Sequence, residues 1–388
     1  MPQKILFCTS VFREDVNSAG RHMIDLVREF ECHGFSCQVV TNIGQQITDL
    51  PNIEVRSLGL RLSGTAMPLR LVYEILTPFA LYLKYVAFCR SKYMAAVVFS
   101  PSIFWYFYLK LMGRRIKGKK ILILRDIFPI WLADVGVLSS SGVTFRVLNY
   151  FCRKQLETYD VILVQNECDV ELLQKNYQLD CNVSTLKNWY SPSPKLTVAD
   201  EIVEFCGHDA FTLAAIGAFG IAQDLEHSCS LLNTLLQEFS DVKILFIGLG
   251  DEARSQLEGQ LKCYNGRVRF EDRMSHDEVV NTLHYVKAGY FSLNERNQQG
   301  HFPGKVLAYI MAGRPVFGSA GVNAPISMLL EREGAGMVTD SRDPKEILRA
   351  FGAFKSRNWS HSQIKKYALD HYSSGNAFEK VAGYIRNE

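Results

Sequence analysis

The sequence predicts an α/β protein of two doubly wound, Rossmann-like domains with a cleft between them. Three observations point there. The 388 residues suffice for two hydrophobic cores. In both halves short apolar runs alternate with stretches of helical apolar spacing, the pattern of a parallel sheet wrapped by helices. Between the halves, Asn188-Trp189-Tyr190-Ser191-Pro192-Ser193-Pro194 cannot be regular helix, because each proline removes a backbone donor and crowds the preceding turn. Ligands of such domains bind beyond the carboxyl ends of the strands.

In the first half, Ile5–Thr9 reads as a strand. Asn17-Ser18-Ala19-Gly20 is a polar loop leading into a helix with Met23, Leu26, Val27 and Phe30 on one face, which Gly34 ends. Cys37–Thr41 is the next strand, so the chain starts with a strand–helix–strand unit of a parallel sheet. A helical region from about 68 to 89 follows, with an interruption expected at Pro78. Ala95–Phe99 is a strand, Ser102–Met112 an aromatic-rich helix, and Lys120–Leu124 a strand followed by Arg125-Asp126-Ile127-Phe128-Pro129. Phe145–Thr158 is a helix, Val161–Val164 a strand ending in Gln165-Asn166, and Val183–Leu186 the last strand of this half.

The second half repeats the alternation. Its strands are Leu213–Ile216, Lys243–Gly248, Val268–Glu271, Gly289–Ser292, Val316–Ser319 and Met337–Val338, with helices near 222–238, 251–262, 276–284, 304–312, 324–333 and 344–354. The expected organisation is an N-terminal domain at 1–190, a linker at 191–208, a C-terminal domain at 209–360, and a helix and tail at 361–388 that can pack back across the cleft.

Composition narrows the function classes. The chain is 47% hydrophobic and 21% charged, as in an ordinary globular protein. A net charge of +3 gives no nucleic-acid footprint. The ten cysteines form no Cys-x-x-Cys pair or zinc-ligand spacing and read as reduced thiols of a cytosolic protein. The apolar run Lys4–Thr9 is too short for a signal core, and Ser100-Pro101-Ser102 breaks the longest uncharged run, Tyr93 to Leu109. The cytoplasm is therefore the expected address.

The stretch 302–316 organises the second half. Pro303-Gly304 opens a helix, Val306, Leu307, Ile310 and Met311 give its apolar face, Gly313 stops it, and Pro315-Val316 starts a strand. Lys305 stands at that helix start, beside free N–H groups and the positive dipole end, where phosphate can be held; the plainer reading is an αβ unit with a surface lysine. Gly248-Leu249-Gly250-Asp251-Glu252-Ala253 formally fits a dinucleotide fingerprint, but the first strand of neither half carries such a loop. No Ser–His–Asp set, metal grouping or Asp-x-Asp stands out.

Taken in order, Ala215–Gln223, Leu245–Gly250, Val268–Met274, Ala288–Leu293 and the 302–316 stretch resemble the nucleotide-sugar-binding domain of family 4 glycosyltransferases of GT-B fold. The last piece resembles the Pro-Ser-Lys-x-x-Glu-Tyr-x-x-x-Gly-x-Pro-Val signature of an O-antigen and capsule branch that includes N-acetylfucosamine transferases. Arg125-Asp126-Ile127-Phe128-Pro129 and Lys187-Asn188-Trp189 resemble the same branch. The resemblance covers most of the chain and reassigns Gly248-Leu249-Gly250 from a cofactor loop to part of a sugar-nucleotide domain.

The resemblance implies retaining sugar transfer from a nucleoside-diphosphate sugar, expected to be UDP-linked, without a cofactor or obligatory metal. It places Lys305 on the pyrophosphate, with help from the N–H groups of Gly304 and Val306 and from the Gly217–Gly220 turn. Arg273 and Met274 would frame the base, Asp126 would contact the donor sugar or acceptor, and Ser18 and Gly20 would lie on the loop approaching donor and acceptor. Each also has a structural reading: Asp126 as a cap, Ser18 as a turn residue, Arg273 as a surface charge. The chain departs from the family pattern where its paired glutamates fall, at Gly300 and Ala308; Gly304 replaces the signature serine and Ile221 a basic residue. Glu295 and Arg296 stand nearby, out of register, as candidates to compensate.

The implied acceptor is a lipid-linked or growing surface polysaccharide. Lys110, Arg114, Arg115, Lys117, Lys119 and Lys120 follow Phe104–Tyr108, and the 69–89 region is apolar with sparse positive charge. Basic residues beside exposed aromatics suit the inner face of an anionic membrane; the alternative is a core helix followed by a solvated basic turn. Two further functional readings stay open: a non-catalytic GT-B subunit supporting a partner glycosyltransferase, and a nucleotide-sugar epimerase. Nucleic acid is not an expected partner.

Overall fold

The computed structural model describes residues 3–13, 18–46, 52–59, 67–85, 91–100, 102–134, 136, 138–191, 195–217, 219, 223–294, 303–321 and 324–386. They form two compact units, Met1–Trp189 with Ser374–Glu388, and Tyr190–Ser373.

The first unit is a seven-stranded parallel sheet. Its strands are β1 (Lys4–Phe12), β2 (Ser36–Gly44), β3 (Ile53–Ser57), β4 (Ala95–Phe99), β5 (Lys120–Ile123), β6 (Val161–Val164) and β7 (Asn182–Thr185), ordered β3-β2-β1-β4-β5-β6-β7. The order reverses between β1 and β4. Side chains alternate faces along a strand, and the two cores divide accordingly. Phe7, Val39, Val97, Ile121 and Leu163 face α1 (Ser18–Cys32) and the chain-terminal helix over Ser374–Arg386. Leu6, Val40, Val98, Leu122 and Ile162 face the opposite layer. That layer contains α2 (Met67–Tyr85), α3 (Trp105–Met112), α4 (Ile130–Asp134), α5 (Val143–Leu156) and α6 (Glu167–Asn176). Burial on both faces is why these strands read as apolar runs.

The second unit has six parallel strands: β8 (Phe211–Ile216), β9 (Val242–Ile247), β10 (Val268–Glu271), β11 (Ala288–Ser292), β12 (Val316–Ser319) and β13 (Gly336–Thr339), in the order β10-β9-β8-β11-β12-β13. The reversal falls between β8 and β11. Its helices are α7 (Asp200–Cys206), α8 (Leu225–Glu238), α9 (Asp251–Leu261), α10 (His276–Leu283), α11 (Gly304–Met311), α12 (Pro325–Arg332), α13 (Pro344–Ser356) and α14 (His361–Tyr372). The closing helix of the first unit is α15 (Ser374–Arg386). Thus the expected C-terminal extension divides, α14 with the second unit and α15 with the first. The stretch expected as a linker contributes Val198, Ile202 and Cys206 to the second unit's core, joined there by Tyr190, which was expected to close the first domain.

Three local expectations are corrected. Helix α2 runs through Pro78 instead of breaking there. The ring abolishes one helical donor, and the hydroxyl of Thr77 donates to the Tyr73 carbonyl at 2.8 Å in the same turn. The strand β3 and helices α4 and α6 fall in stretches to which the sequence assigned no element, and α7 falls in the expected linker. The aromatic run before the basic turn is interior: Phe104, Trp105, Tyr106 and Tyr108 are buried, while Lys110, Arg114 and Lys117 are solvated. A helix apolar all round is a core helix, and α3 is wedged between α2 and α5, with ring contacts Phe79–Phe107 at 5.2 Å and Phe104–Phe151 at 5.5 Å.

Candidate functional site

The strand reversal in the second unit lies between β8 and β11, where a doubly wound sheet opens a crevice. The chain leaves β8 through Gly217, whose φ of 75° suits glycine alone without strain; its N–H donates to the Ile247 carbonyl at 2.8 Å. Gly220, expected in the same turn, lies outside the described residues, as do Glu295, Arg296 and Gly300.

Helix α11 starts beside this turn and is held there by Tyr309. The Tyr309 ring lies over Gly289 of β11 so closely that a Cβ on Gly289 would stand 2.2 Å from it. Its hydroxyl donates to the Tyr290 carbonyl and accepts from the Ile216 N–H, both at 3.0 Å. One phenol therefore ties α11 to the ends of both strands at the reversal. Helical spacing identifies Tyr309 only as one more apolar-face residue, so sequence reasoning missed it.

At the start of α11, Pro303 is the N-cap and Gly304 is exposed; a Cβ on Gly304 would meet nothing within 4 Å. The Val306 N–H donates to the Pro303 carbonyl at 2.9 Å and its side chain is fully buried, so Val306 packs rather than presents a donor. Lys305 is the unusual group. Its stem is partly exposed, yet its ammonium is buried, 4.7 Å from the centre of the Phe219 ring, with no hydrogen-bond partner among the described residues. Burial lowers its pKa to about 8. An ammonium held dry at a helix N-terminus is prepared for an anion. Ala308, one turn on, is buried and carries no polar group.

The loop after β10 carries Arg273, exposed, and Met274, half-buried and accepting from the Thr282 hydroxyl at its sulfur at 3.9 Å. Arg273 passes close to Gly248, where a Cβ would lie 3.6 Å from its Cα. Gly248, with φ of 70°, thus brings the ends of β9 and β10 together.

In the first unit, Ser18 opens α1 and Gly20 lies in its first turn. A Cβ on Gly20 would stand 2.2 Å from the Arg13 carbonyl oxygen, so only glycine lets the helix meet the chain leaving β1. Asp126 occupies the bend after β5, half-buried, its carbonyl accepting from the Phe128 N–H at 3.0 Å. Beside it Arg125 is a buried cation that the sequence motif did not single out. Its guanidinium stacks 5.3 Å from the Phe99 ring and 4.7 Å from that of Trp189, and one nitrogen donates to the Leu186 carbonyl at 3.3 Å. Nε and Nη2 have no partner among the described residues. Burial pulls its pKa down, opposed by the charges of Asp126 and Asp169.

No protein-family model matches the chain. It is 24% identical over 277 residues to a probable glycosyltransferase, WbjE, of Pseudomonas aeruginosa, covering 69% of this chain and 68% of that protein. The structure is similar to Anabaena Alr3699/HepE in complex with UDP and glucose, at 13% identity over 100% of both chains with a TM-score of 0.67. It is similar also to WaaG, a glycosyltransferase involved in lipopolysaccharide biosynthesis, at 15% identity over 99% of this chain and 100% of that one with a TM-score of 0.70. The fold is GT-B. In GT-B terms, the corner at Gly217, Phe219 and Lys305 lies at the strand reversal of the C-terminal domain, and Arg125 and Asp126 lie at the ends of N-terminal strands. Among the described residues no group of three or more His, Cys, Asp or Glu could hold a metal ion, and no helix is long and apolar enough to cross a membrane.

Proposed function

We propose that the protein is a retaining glycosyltransferase of the family 4 type. It takes a sugar from a nucleoside diphosphate, with UDP the expected carrier, and adds it to a lipid-linked or growing surface polysaccharide. The buried ammonium of Lys305 at the start of α11, with no hydrogen-bond partner among the described residues, carries this reading. Transfer breaks the bond between the sugar's anomeric carbon and the diphosphate oxygen, so negative charge develops on that oxygen. A cation and helix-terminal N–H groups fixed beforehand stabilise such charge without reorganising, and they do so without an obligatory metal. The acceptor hydroxyl bonds to the anomeric carbon, and its proton leaves with the departing diphosphate. Asp126 is assigned to a sugar hydroxyl, and Arg273 and Met274 to the base. The WbjE likeness and the UDP and glucose in the Anabaena protein support the substrate class.

Membrane association belongs to the same reading, through the second of the two stretches the sequence suggested, the apolar 69–89 region, joined by α5. Leu69, Val72, Leu76, Phe79 and Leu83 form one stripe of α2 and are 37% to 72% exposed. On α5, Val143, Val147 and Tyr150 are 48% to 74% exposed, interleaved with exposed Arg146 and Arg153. Apolar stripes bordered by arginines and lysines suit an anionic leaflet, where lipid-linked acceptors reside.

Calorimetric titration with UDP tests the donor assignment. Binding that falls at least about tenfold in Lys305→Ala, the size of one lost charge-assisted contact, is the expected result. A folded protein that ignores UDP and other nucleoside diphosphates would refute the enzyme. One observation favours a second reading, a non-catalytic partner subunit: Ala308 offers no carboxylate where the family holds ribose. Activity that appears only when another glycosyltransferase co-purifies would select it.

A further inference from the structure

The second unit has a cavity of about 320 Å³ lined by Lys195, Leu196, Val280, Asn281, His284, Tyr285 and Lys365. It stands apart from the donor corner. Lys305 lies in the first turn of α11, whereas this cavity adjoins the turn beyond its last, a helix length of about 12 Å away. Its size is at the lower end for small-molecule pockets, about 300–1,000 Å³.

The walls are pinned. The Leu196 N–H donates to the Asn281 side-chain oxygen at 3.1 Å, fixing the segment before α7 to α10. Helix α10 is locked at its start by the reciprocal Ser275–Glu278 capping box. Helix α14 meets the end of α11 at Gly313, where a Cβ would stand 2.8 Å from the His361 carbonyl oxygen and 3.4 Å from the Lys365 Cβ. The His361 ring nitrogen Nδ1 pairs with the Gly313 carbonyl at 2.8 Å. Arg314, next in the chain, donates through Nη2 to the His284 carbonyl at 2.6 Å, while its Nε is buried with no partner among the described residues.

Three basic side chains from three segments line the cavity, Lys195, His284 and Lys365, all at its solvent-exposed mouth, and the half-buried Arg314 lies behind His284. No carboxylate lines the cavity among the described residues; Asp277, one turn earlier on α10, is not part of its wall. Burial, and then the charges of Arg314, Lys365 and Lys195, hold the His284 imidazole below its usual range. Like charges gathered without a counter-charge repel, and a bound anion relieves them. The exposed Leu196 and Tyr285 at the rim give apolar surface beside the charge.

We propose that this cavity is a second ligand site that takes a phosphate-bearing group, with Lys195 and Lys365 as its charge contacts and His284 as its hydrogen-bond partner. The same chemistry could be offered by a soluble phosphorylated compound or by a phospholipid headgroup.

The test follows the His284 ring by NMR through a pH titration, in a Lys305→Met background that disables the donor corner. Inorganic pyrophosphate and monomeric short-chain phosphatidic acid are the two probes, and short-chain phosphatidylcholine is the control. The expected result is an upward shift of the His284 pKa by about one unit with a phosphate probe and its loss in Lys195→Gln/Lys365→Gln. A response to pyrophosphate identifies a soluble ligand; a response to phosphatidic acid alone identifies a headgroup. No shift with either probe, or a shift that survives the double substitution, overturns the site. UDP binding in the double variant with Lys305 intact stays at the wild-type level, so failure here is separable from failure of the donor assignment.

Discussion

In the proposed site Lys305 would hold its binding function at the expense of stability. Its ammonium has a pKa near 8, against 10.5 in an open chain, so between those values the unfolded chain binds more protons than the folded one. Stability therefore rises with pH across that window, by up to about 3 kcal/mol. Anion binding runs the other way, because the free protein loses the cation above pH 8. Two outcomes follow. Lys305→Met makes the ligand-free protein more stable at neutral pH, by about 1–3 kcal/mol in urea melts. In the wild type, UDP affinity declines about tenfold per pH unit above 8, and in Lys305→Met that decline is absent in calorimetry. A surface lysine would show neither effect.

The informative element is α11, and what positions it is an aromatic ring. Tyr309 fills the space over Gly289 and satisfies one backbone group on each of β8 and β11. Tyr309→Phe leaves the Ile216 N–H and the Tyr290 carbonyl unpaired in a dry core, which costs about 1–3 kcal/mol. Gly289→Ala drives a methyl into the ring and costs about the same or more. Both variants should weaken UDP binding beyond their effect on Tm, because the helix start that presents Lys305 shifts with the ring. Normal affinity in a destabilised Tyr309→Phe would show that Tyr309 serves packing alone. Helix α2 makes the complementary point, since it buries Leu81 in the core while a second apolar stripe, Leu69 to Leu83, turns outward.

For the whole molecule, the proposed membrane association rests on the exposed stripes of α2 and α5. Leu76→Asp/Leu83→Asp places two carboxylates on the proposed lipid face, at positions 57% and 72% exposed. Flotation with vesicles rich in anionic lipid should show reduced binding, while Tm and UDP affinity stay at wild-type values. Added salt should weaken wild-type binding as the charge attraction is screened. Equal flotation of variant and wild type would remove α2 from the membrane face.

Much of the fold was legible from one physical fact: parallel strands buried on both faces must be apolar throughout. Ala95–Phe99, Val161–Val164 and Val316–Ser319 were read to the residue for that reason. Gly313 was readable because a left-handed stop selects glycine, and its φ is 72°. Strand β3 was not, since four of its five residues are only half-buried and Glu54, Arg56 and Ser57 interrupt any apolar run. Periodicity shows that a helix has an apolar face without showing what covers it. Hence the exposed face was sought both at Phe104–Tyr108, which is core, and in the 69–89 region, where α2 carries it, while the exposed face of α5 went unread. The lysine at the helix start was visible in the sequence. Its burial against Phe219, 86 positions earlier, is a product of packing, as is the meeting of Lys195, His284 and Lys365. Local sequence determined the strands, stops and turns, because those depend on neighbouring residues. Tertiary structure alone decided which charges were left dry, because that depends on side chains far apart in the chain.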